Sequence, residues 1–565
     1  MTPRAVDEGP GPLLDAALVT LRERVAAVRF VFDTPGVGDA REAQREILGQ
    51  LDNYVLPRLR ELDAPLLVVI AGSTGAGKST LVNSLARASV TATGVRRPTT
   101  RAPFLACHPD DASWFERRNV LPGLTRVRDA AGREGTLAVI AAEGVPRGVG
   151  LLDTPDIDSV VGAHHKLAHE LVAAADLWVF MTTAARYADA IPWNLLHAAR
   201  ERGVTLGVTL NRVPRDAAQE ILEHLRAMLD DGGLAEAELF VVPETQVSGG
   251  MLGGKVVEPV RSWLTEIVTE EDRRAAVVRG TLRGVLDSFR TRVPSLAKQV
   301  EAQVSVAETL RERVDAAYEA ALAEIDETLR NGSLLRGEVI ARWQDFVTTA
   351  DLHRALQAGR RPLRRRAHAP RHGAPEQDRA LEVALTNALV SLIRSGAEHA
   401  AEDAVGRWRA DPAGSGLLAA APESLTHASP QLPHRAAQAV STWRQHVVNL
   451  VRSEGTTKRS VARIPSFDPE TLALLLMVGA LGQSGGDAAS ASPSALPQRL
   501  LRGIFGAESL RTIATKTRTE LRARVSGLLE EEATRFTQAI EAAGVPDESA
   551  VVQLYQATYT LEVAR

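Results

Sequence analysis

An octapeptide, Gly72-Ser73-Thr74-Gly75-Ala76-Gly77-Lys78-Ser79, stands between an apolar run, Leu66 to Ala71, and a helix-compatible run that continues from Thr80 through Leu85. No other feature limits so tightly what the chain can fold into. The spacing GxxxxGKS in a strand-to-helix context is that of a phosphate-binding loop. Its glycines let the backbone curl around an anion, so that amide N–H groups and the helix N-terminus face the negative charge. The Lys78 ammonium then reaches the β- and γ-phosphates of a nucleotide, and the Ser79 hydroxyl is placed for Mg²⁺. Residues Gly72, Ser73, Thr74, Gly75, Ala76, Gly77, Lys78, Ser79 and Thr80 are therefore the expected nucleotide contacts, with Lys78 also catalytic.

A second motif, Gly148-Val149-Gly150-Leu151-Leu152-Asp153-Thr154-Pro155-Asp156, is an apolar strand that ends in acid. Asp153 suits the magnesium-side aspartate of such sites. Asp156 occupies the position where a glycine usually senses the γ-phosphate; its backbone N–H can still donate, while its carboxylate must turn away. Ile157 follows where small GTPases carry a water-orienting glutamine. Hydrolysis is therefore expected to be slow or to depend on a further element.

Between the two motifs lies Gly94-Val95-Arg96-Arg97-Pro98-Thr99-Thr100-Arg101. A threonine here can bind Mg²⁺ and the γ-phosphate together, ordering its loop only in the triphosphate state. Thr99 and Thr100 are equally placed for that catalytic and metal role. For base recognition, the run Val204 to Leu210 leads into Asn211-Arg212-Val213-Pro214, a partial match to NKxD in which Arg212 can cover the base with its stem. The acid of that pattern is missing, and Asp216 lies two residues late. ATP thus stays open beside GTP.

The short apolar runs at Leu66 to Ala71, Phe104 to Cys107, Leu137 to Ile140, Val149 to Leu152, Leu177 to Met181, Val204 to Leu210 and Leu239 to Val242 alternate with helical stretches. That alternation predicts an α/β domain, a mostly parallel sheet with helices on both faces, and with the phosphate-binding loop and the order of the motifs it makes an α/β P-loop GTPase domain the expectation. After Gly254 the chain reads as helix almost throughout, an extended helical-bundle domain, which the resemblance given below implies is a neck and trunk. The expected division is N-terminal helices over 1–63 packing with the helical domain, a nucleotide domain over 64–256, and helices over 257–565. Loops are expected near 358–375, 411–433 and 482–497, where Pro and Gly cluster.

A net charge of −4 over 565 residues argues against nucleic-acid binding through bulk charge. The lone Cys107 excludes an internal disulfide and suits a small residue on a buried strand in a reducing cytoplasm. Residues 1–12 lack an export-signal pattern, and no apolar run reaches the roughly 18 residues that cross a bilayer. The nearest, Leu472 to Leu481, is either a core helix or an inserting tip. A basic stretch, Arg360 to His372, is either a solvated loop or a contact for anionic lipid.

In the segments GSTGAGKSTLVNSL (72–85), GVRRPTTR (94–101), LLDTPDIDS (151–159) and TTAARYADAIPW (182–193), the chain resembles bacterial dynamin-like GTPases of the actinobacterial kind. The resemblance implies a GTP- and Mg²⁺-dependent GTPase that pairs with itself or a related GTPase through its nucleotide face. It also implies a cytoplasmic protein working peripherally at the inner face of the cell membrane, in membrane remodelling or division. Gly75 departs from the family, which often carries there a polar residue that recruits a monovalent cation. Two other readings compete: a soluble Era-like GTPase binding ribosome or RNA, suggested by Pro98-Thr99-Thr100-Arg101, and a nucleotide-loaded scaffold with little hydrolysis.

Overall fold

The structure, a computed structural model, describes residues 12–91, 102–117, 120–128, 135–154, 162–347, 375–458, 469–481, 501–502 and 505–565. By contact the chain forms two units, the first comprising residues 1–30, 34–302 and 546–565 and the second residues 31–33 and 303–545.

The first unit is built on one sheet of eight strands: β1 (Leu66–Gly72), β2 (Phe104–Cys107), β3 (Thr125–Val127), β4 (Thr136–Ala141), β5 (Val149–Asp153), β6 (Leu177–Thr183), β7 (Thr205–Val213) and β8 (Glu238–Pro243). Their order is β3-β4-β2-β5-β1-β6-β7-β8. Every pairing is parallel except that of β2 with β5. Seven of these strands stand where apolar runs mark them, and β3 is an addition at the sheet edge. Strand β1 lies between β5 and β6 and is buried along its whole length, which is why Leu-Leu-Val-Val-Ile reads as an unbroken apolar run rather than an alternation.

On one face of the sheet Leu67, Val69, Leu152, Trp178, Phe180 and Leu206 share a core with Leu196 of the helix Ala190–Glu201. Helices that precede the sheet in sequence belong to the same unit. The helix Pro12–Ala27 buries Leu14, Leu18, Leu21 and Val25 and packs against the last helix, Glu548–Ala564, which buries Val551, Leu554, Ala557 and Leu561. The first unit therefore gathers segments on both sides of the boundaries expected at 63/64 and 256/257.

The second unit is helical, with long helices over Pro375–Arg409, Leu432–Lys458 and Ala507–Ala542 around one apolar core. The helix Pro469–Leu481 is buried on nearly all sides in that core, with Leu475 and Leu481 fully inaccessible. Its apolar character is thus spent on packing, the core-helix alternative for Leu472 to Leu481. Among the described residues no helix is long and apolar enough to cross a membrane. The basic stretch Arg360 to His372 lies outside the described residues, as do the intervals 358–374 and 482–497 expected as loops.

The interval 411–433 is not a simple loop. It holds a helix, Pro412–Ala420, whose N-cap Asp411 accepts a hydrogen bond from the Ala413 amide at 2.9 Å. Gly414 lies within this helix, and a Cβ there would stand 2.5 Å from the Trp408 carbonyl oxygen, so the glycine is a packing requirement.

Candidate nucleotide-binding site

At the C-terminal edge of β1 the chain turns sharply and enters the helix Lys78–Ala86. Three glycines make the turn possible: Gly72, Gly75 and Gly77 take φ of 149°, 77° and 103°. At Gly72 the requirement is also steric, since a Cβ would meet the Met181 carbonyl oxygen of β6 at 2.1 Å. At Gly77 it would meet the Asn211 side chain at 2.7 Å.

Inside the turn the Lys78 side chain is buried, and its Nζ donates to the carbonyl oxygens of Gly72 at 2.9 Å and Ser73 at 3.2 Å. These are contacts that phosphate oxygens can replace. The Ser73 hydroxyl is buried with no hydrogen-bond partner among the described residues, an arrangement that costs free energy unless a ligand or water meets it. Thr74, Gly75, Gly77, Ser79 and Thr80 are half-buried, and Ala76 is buried. Thr80 uses its carbonyl oxygen to accept from the Ser84 hydroxyl.

Asp153 closes the site from the end of β5. Its Oδ2 accepts from the Ser79 hydroxyl at 2.7 Å and from the Thr91 hydroxyl at 3.1 Å, and the residue is fully buried. Thr154, next in sequence, donates to the Ile70 carbonyl at 3.0 Å and ties β5 to β1. Thr99, Thr100 and Asp156 lie outside the described residues.

The Thr91 contact is not foreseen by the motifs, and a single side chain arranges it. Asn83, on the buried face of the P-loop helix, accepts from the amides of Val90 and Thr91 at 2.9 and 3.0 Å and donates to the Thr91 carbonyl at 2.9 Å. The available signal was a polar residue placed among the apolar positions of a short helix. Arg186 is a second addition: its Nη1 lies 3.4 Å from the Thr74 carbonyl oxygen, reaching the loop from the turn that follows β6.

Asn211 and Arg212 lie within β7 rather than beyond its end, at a register shift relative to β8 between Leu210 and Val213. Asn211 donates from Nδ2 to the Ala76 carbonyl at 2.7 Å and accepts from the Arg212 amide at 2.8 Å, so it braces the loop directly. Arg212 takes φ 56° and is exposed, and Asp216 is exposed in the turn that follows.

The chain matches no protein-family model. Over 134 residues, 24% of its length, it is 26% identical to a probable chloroplastic transmembrane GTPase, FZO-like, of Arabidopsis thaliana. It spans 14% of the length of that relative. Among solved structures, a bacterial dynamin from an oligomerised membrane-tethering pair aligns over 97% of this chain and 98% of its own, at 11% identity and a TM-score of 0.38. LeoA, a bacterial dynamin GTPase from ETEC, aligns over 98% of this chain and 97% of its own, at 11% identity and a TM-score of 0.25.

Proposed function

We propose that this chain is a dynamin-like GTPase that binds GTP with Mg²⁺ at the end of β1 and hydrolyses it. The observation that carries the reading is the convergence, at one strand edge, of a buried ammonium held by exchangeable carbonyls with two hydroxyls on one buried carboxylate. Entering phosphates take over the Lys78 ammonium from Gly72 and Ser73. The amides of the glycine turn and the Ser73 hydroxyl supply further donors.

Ser79, Asp153 and Thr91 form a hydroxyl and carboxylate oxygen set, the hard-donor chemistry that suits Mg²⁺. Ser79 would hold the ion directly and Asp153 its hydration shell, and the ion would neutralise charge on the β- and γ-phosphate oxygens. Thr99 or Thr100 completes the set in the triphosphate state. Arg212 covers the base, while Asn211 stiffens the loop beneath the phosphates. Guanine is favoured over adenine by the order of the motifs. Action as an assembly module, pairing with a second copy or a related GTPase and working at an anionic membrane surface, belongs to the same reading.

Titration of the pure chain with labelled GTP, GDP and ATP in Mg²⁺ tests the proposal. Tight GTP and GDP binding with weak ATP binding is expected. Lys78→Ala should weaken GTP by at least about 100-fold, the loss of roughly 3 kcal/mol of charge-assisted contacts, with its melting temperature little changed. Unaltered GTP affinity in that variant would place the site elsewhere.

A further inference from the structure

The helix Glu548–Ala564 has two apolar faces. One is the buried row Val551, Leu554, Ala557 and Leu561 that holds it in the first unit. The other faces outward: Val552, Tyr555, Tyr559 and Val563 recur at steps of three and four and are all exposed, Tyr559 by 72% and Val563 by 69%. Among the described residues eight large apolar side chains are exposed, and five lie on this helix or on the helix Pro12–Ala27 packed against it, which adds Leu13. Exposed apolar side chains scattered singly are ordinary, but a contiguous row marks an interaction site. From Ser549 to Leu561 the helix also holds no Asp, Glu, Lys, Arg or His, whereas a helix face that meets only water ordinarily carries charge. Tyrosine combined with an absence of charge is the composition of an interface core.

The order of the row points to its partner. Val-Tyr-Tyr-Val reads the same in both directions. A second copy laid antiparallel about a two-fold axis at Ala557 therefore sets Val552 near the partner's Val563 and Tyr555 near the partner's Tyr559. Charges beside the row obey the same symmetry. On the helix Glu271–Arg330, Arg290 and Glu301 stand about three turns apart and so share one side. Arg290 meets Glu562 at 3.2 Å, near the end of the last helix, and Glu301 accepts from the Tyr555 hydroxyl at 3.2 Å, nearer its start. The two-fold that pairs the row brings Arg290 to the level of the partner's Glu301, an opposite charge. A parallel pairing would match the row equally well but would set the two flanking helices on opposite sides, leaving Arg290 and Glu301 without counterparts. Charge thus selects the antiparallel arrangement.

We infer that the outer face of the helix Glu548–Ala564 is a self-association surface on which two copies of this chain pair antiparallel about Ala557. None of its residues belongs to the nucleotide site, so the pairing needs no nucleotide and is separate from contact through the nucleotide face. Four side chains and a flanking ion pair on each copy make a smaller patch than the ~800 Å² per partner of a standard interface, so the dimer is weak, with a Kd on the order of 10 µM.

The test is sedimentation equilibrium of the full chain, free of nucleotide, beside Tyr559→Glu, Arg290→Glu, Glu301→Arg and the double variant. The parent should dimerise reversibly, and Y559E should weaken the dimer at least about 30-fold with its melting temperature unchanged, because the side chain is exposed. R290E and E301R should each weaken pairing, and R290E/E301R should restore it, since the exchange leaves every pair opposite in sign. A loss of merely internal contacts would not be restored in this way. A parent that stays monomeric overturns the inference, as does a dimer that Y559E leaves intact, which puts the pairing on another surface. A double variant no tighter than the single ones overturns the antiparallel arrangement. A monomeric parent that sediments with vesicles of phosphatidylglycerol and phosphatidylcholine, and ceases to in Y559E, assigns the face to lipid and overturns the inference as well.

Discussion

The two ends of the sheet in the first unit both bury charge, and they use it in opposite ways. At the ends of β1 and β5 that face the loop, Lys78 and Asp153 are held by carbonyls and hydroxyls, groups that release them cheaply to a phosphate or a metal ion. At the other end, Asp176, the residue before β6, is locked to protein. It forms an ion pair with the buried Arg58 and accepts from the Leu67 amide at 2.8 Å, and its own carbonyl accepts from the Thr281 hydroxyl at 3.0 Å. Arg202 is buried nearby, donating to the Val172 and Ala173 carbonyls at 2.8 and 2.7 Å with its guanidinium 5.5 Å from the Trp178 ring centre. Burial costs Arg202 enough to bring its pKa down to about 10, yet it stays a cation at neutral pH. Asp176 answers an opposite buried charge and serves the fold, whereas Lys78 is held by neutral groups inside the phosphate-binding turn, where a ligand's charge can meet it.

The sharpest way to break this comparison is to cut the locked end. Asp176→Ala leaves the Arg58 guanidinium buried without its carboxylate, a loss of about 3–5 kcal/mol. Urea unfolding should therefore show a midpoint far below that of the parent, while GTP affinity of the folded fraction stays unchanged. A variant as stable as the parent would mean that Arg58 finds other partners and that the back end is not a lock.

Cutting the exchangeable end should lower ligand binding as well as stability. Asn83→Ala removes the acceptor for two amides and the donor to the Thr91 carbonyl in a fully buried place. A stability loss of about 2 kcal/mol is expected, together with weaker Mg²⁺-dependent GTP binding because Thr91 is no longer aimed at Asp153. Measured affinity in Mg²⁺ and in EDTA separates the two effects: an equal drop in both conditions would show that Thr91 has no part in the metal side of the site.

The same contrast explains what could be read from the sequence. The phosphate end was legible because its chemistry is local: three glycines, Lys78 and Ser79 fall within eight positions, at the spacing of an anion-binding turn. Asp153 was legible as an acid closing an apolar strand. The locked end carries no such pattern, since Arg58 and Asp176 are 118 positions apart and meet only through the order of the strands. Strand β3 escaped notice because three residues at an edge, none of them buried, leave no apolar run. The helix Pro412–Ala420 was hidden by two glycines that usually mark a loop, of which Gly414 makes room for Trp408. Asn211 illustrates the middle case, correctly singled out but seated inside β7, where its amide supports the loop rather than standing past the strand.

Cys107 gives the mildest and most selective probe of the locked end. Strand β2 runs against β5, so Cys107 pairs with Gly150 at the edge away from Asp153 and packs with Phe115 in the core. Burial, reinforced by the carboxylates of Asp111 and Glu116, pushes its thiol up to about 12, whereas an unfolded thiol ionises near ~8.5. Above that lower value the unfolded chain sheds a proton that the folded chain keeps. Stability should then decline with rising pH, by on the order of 1 kcal/mol per unit between about 8.5 and 12, and Cys107→Ala should flatten that slope relative to the parent. Native chain should also resist a thiol reagent at pH 8 and react once in urea. Rapid reaction of the folded protein would mean that the back end opens to solvent, and the distinction between locked and exchangeable charge would fail there first.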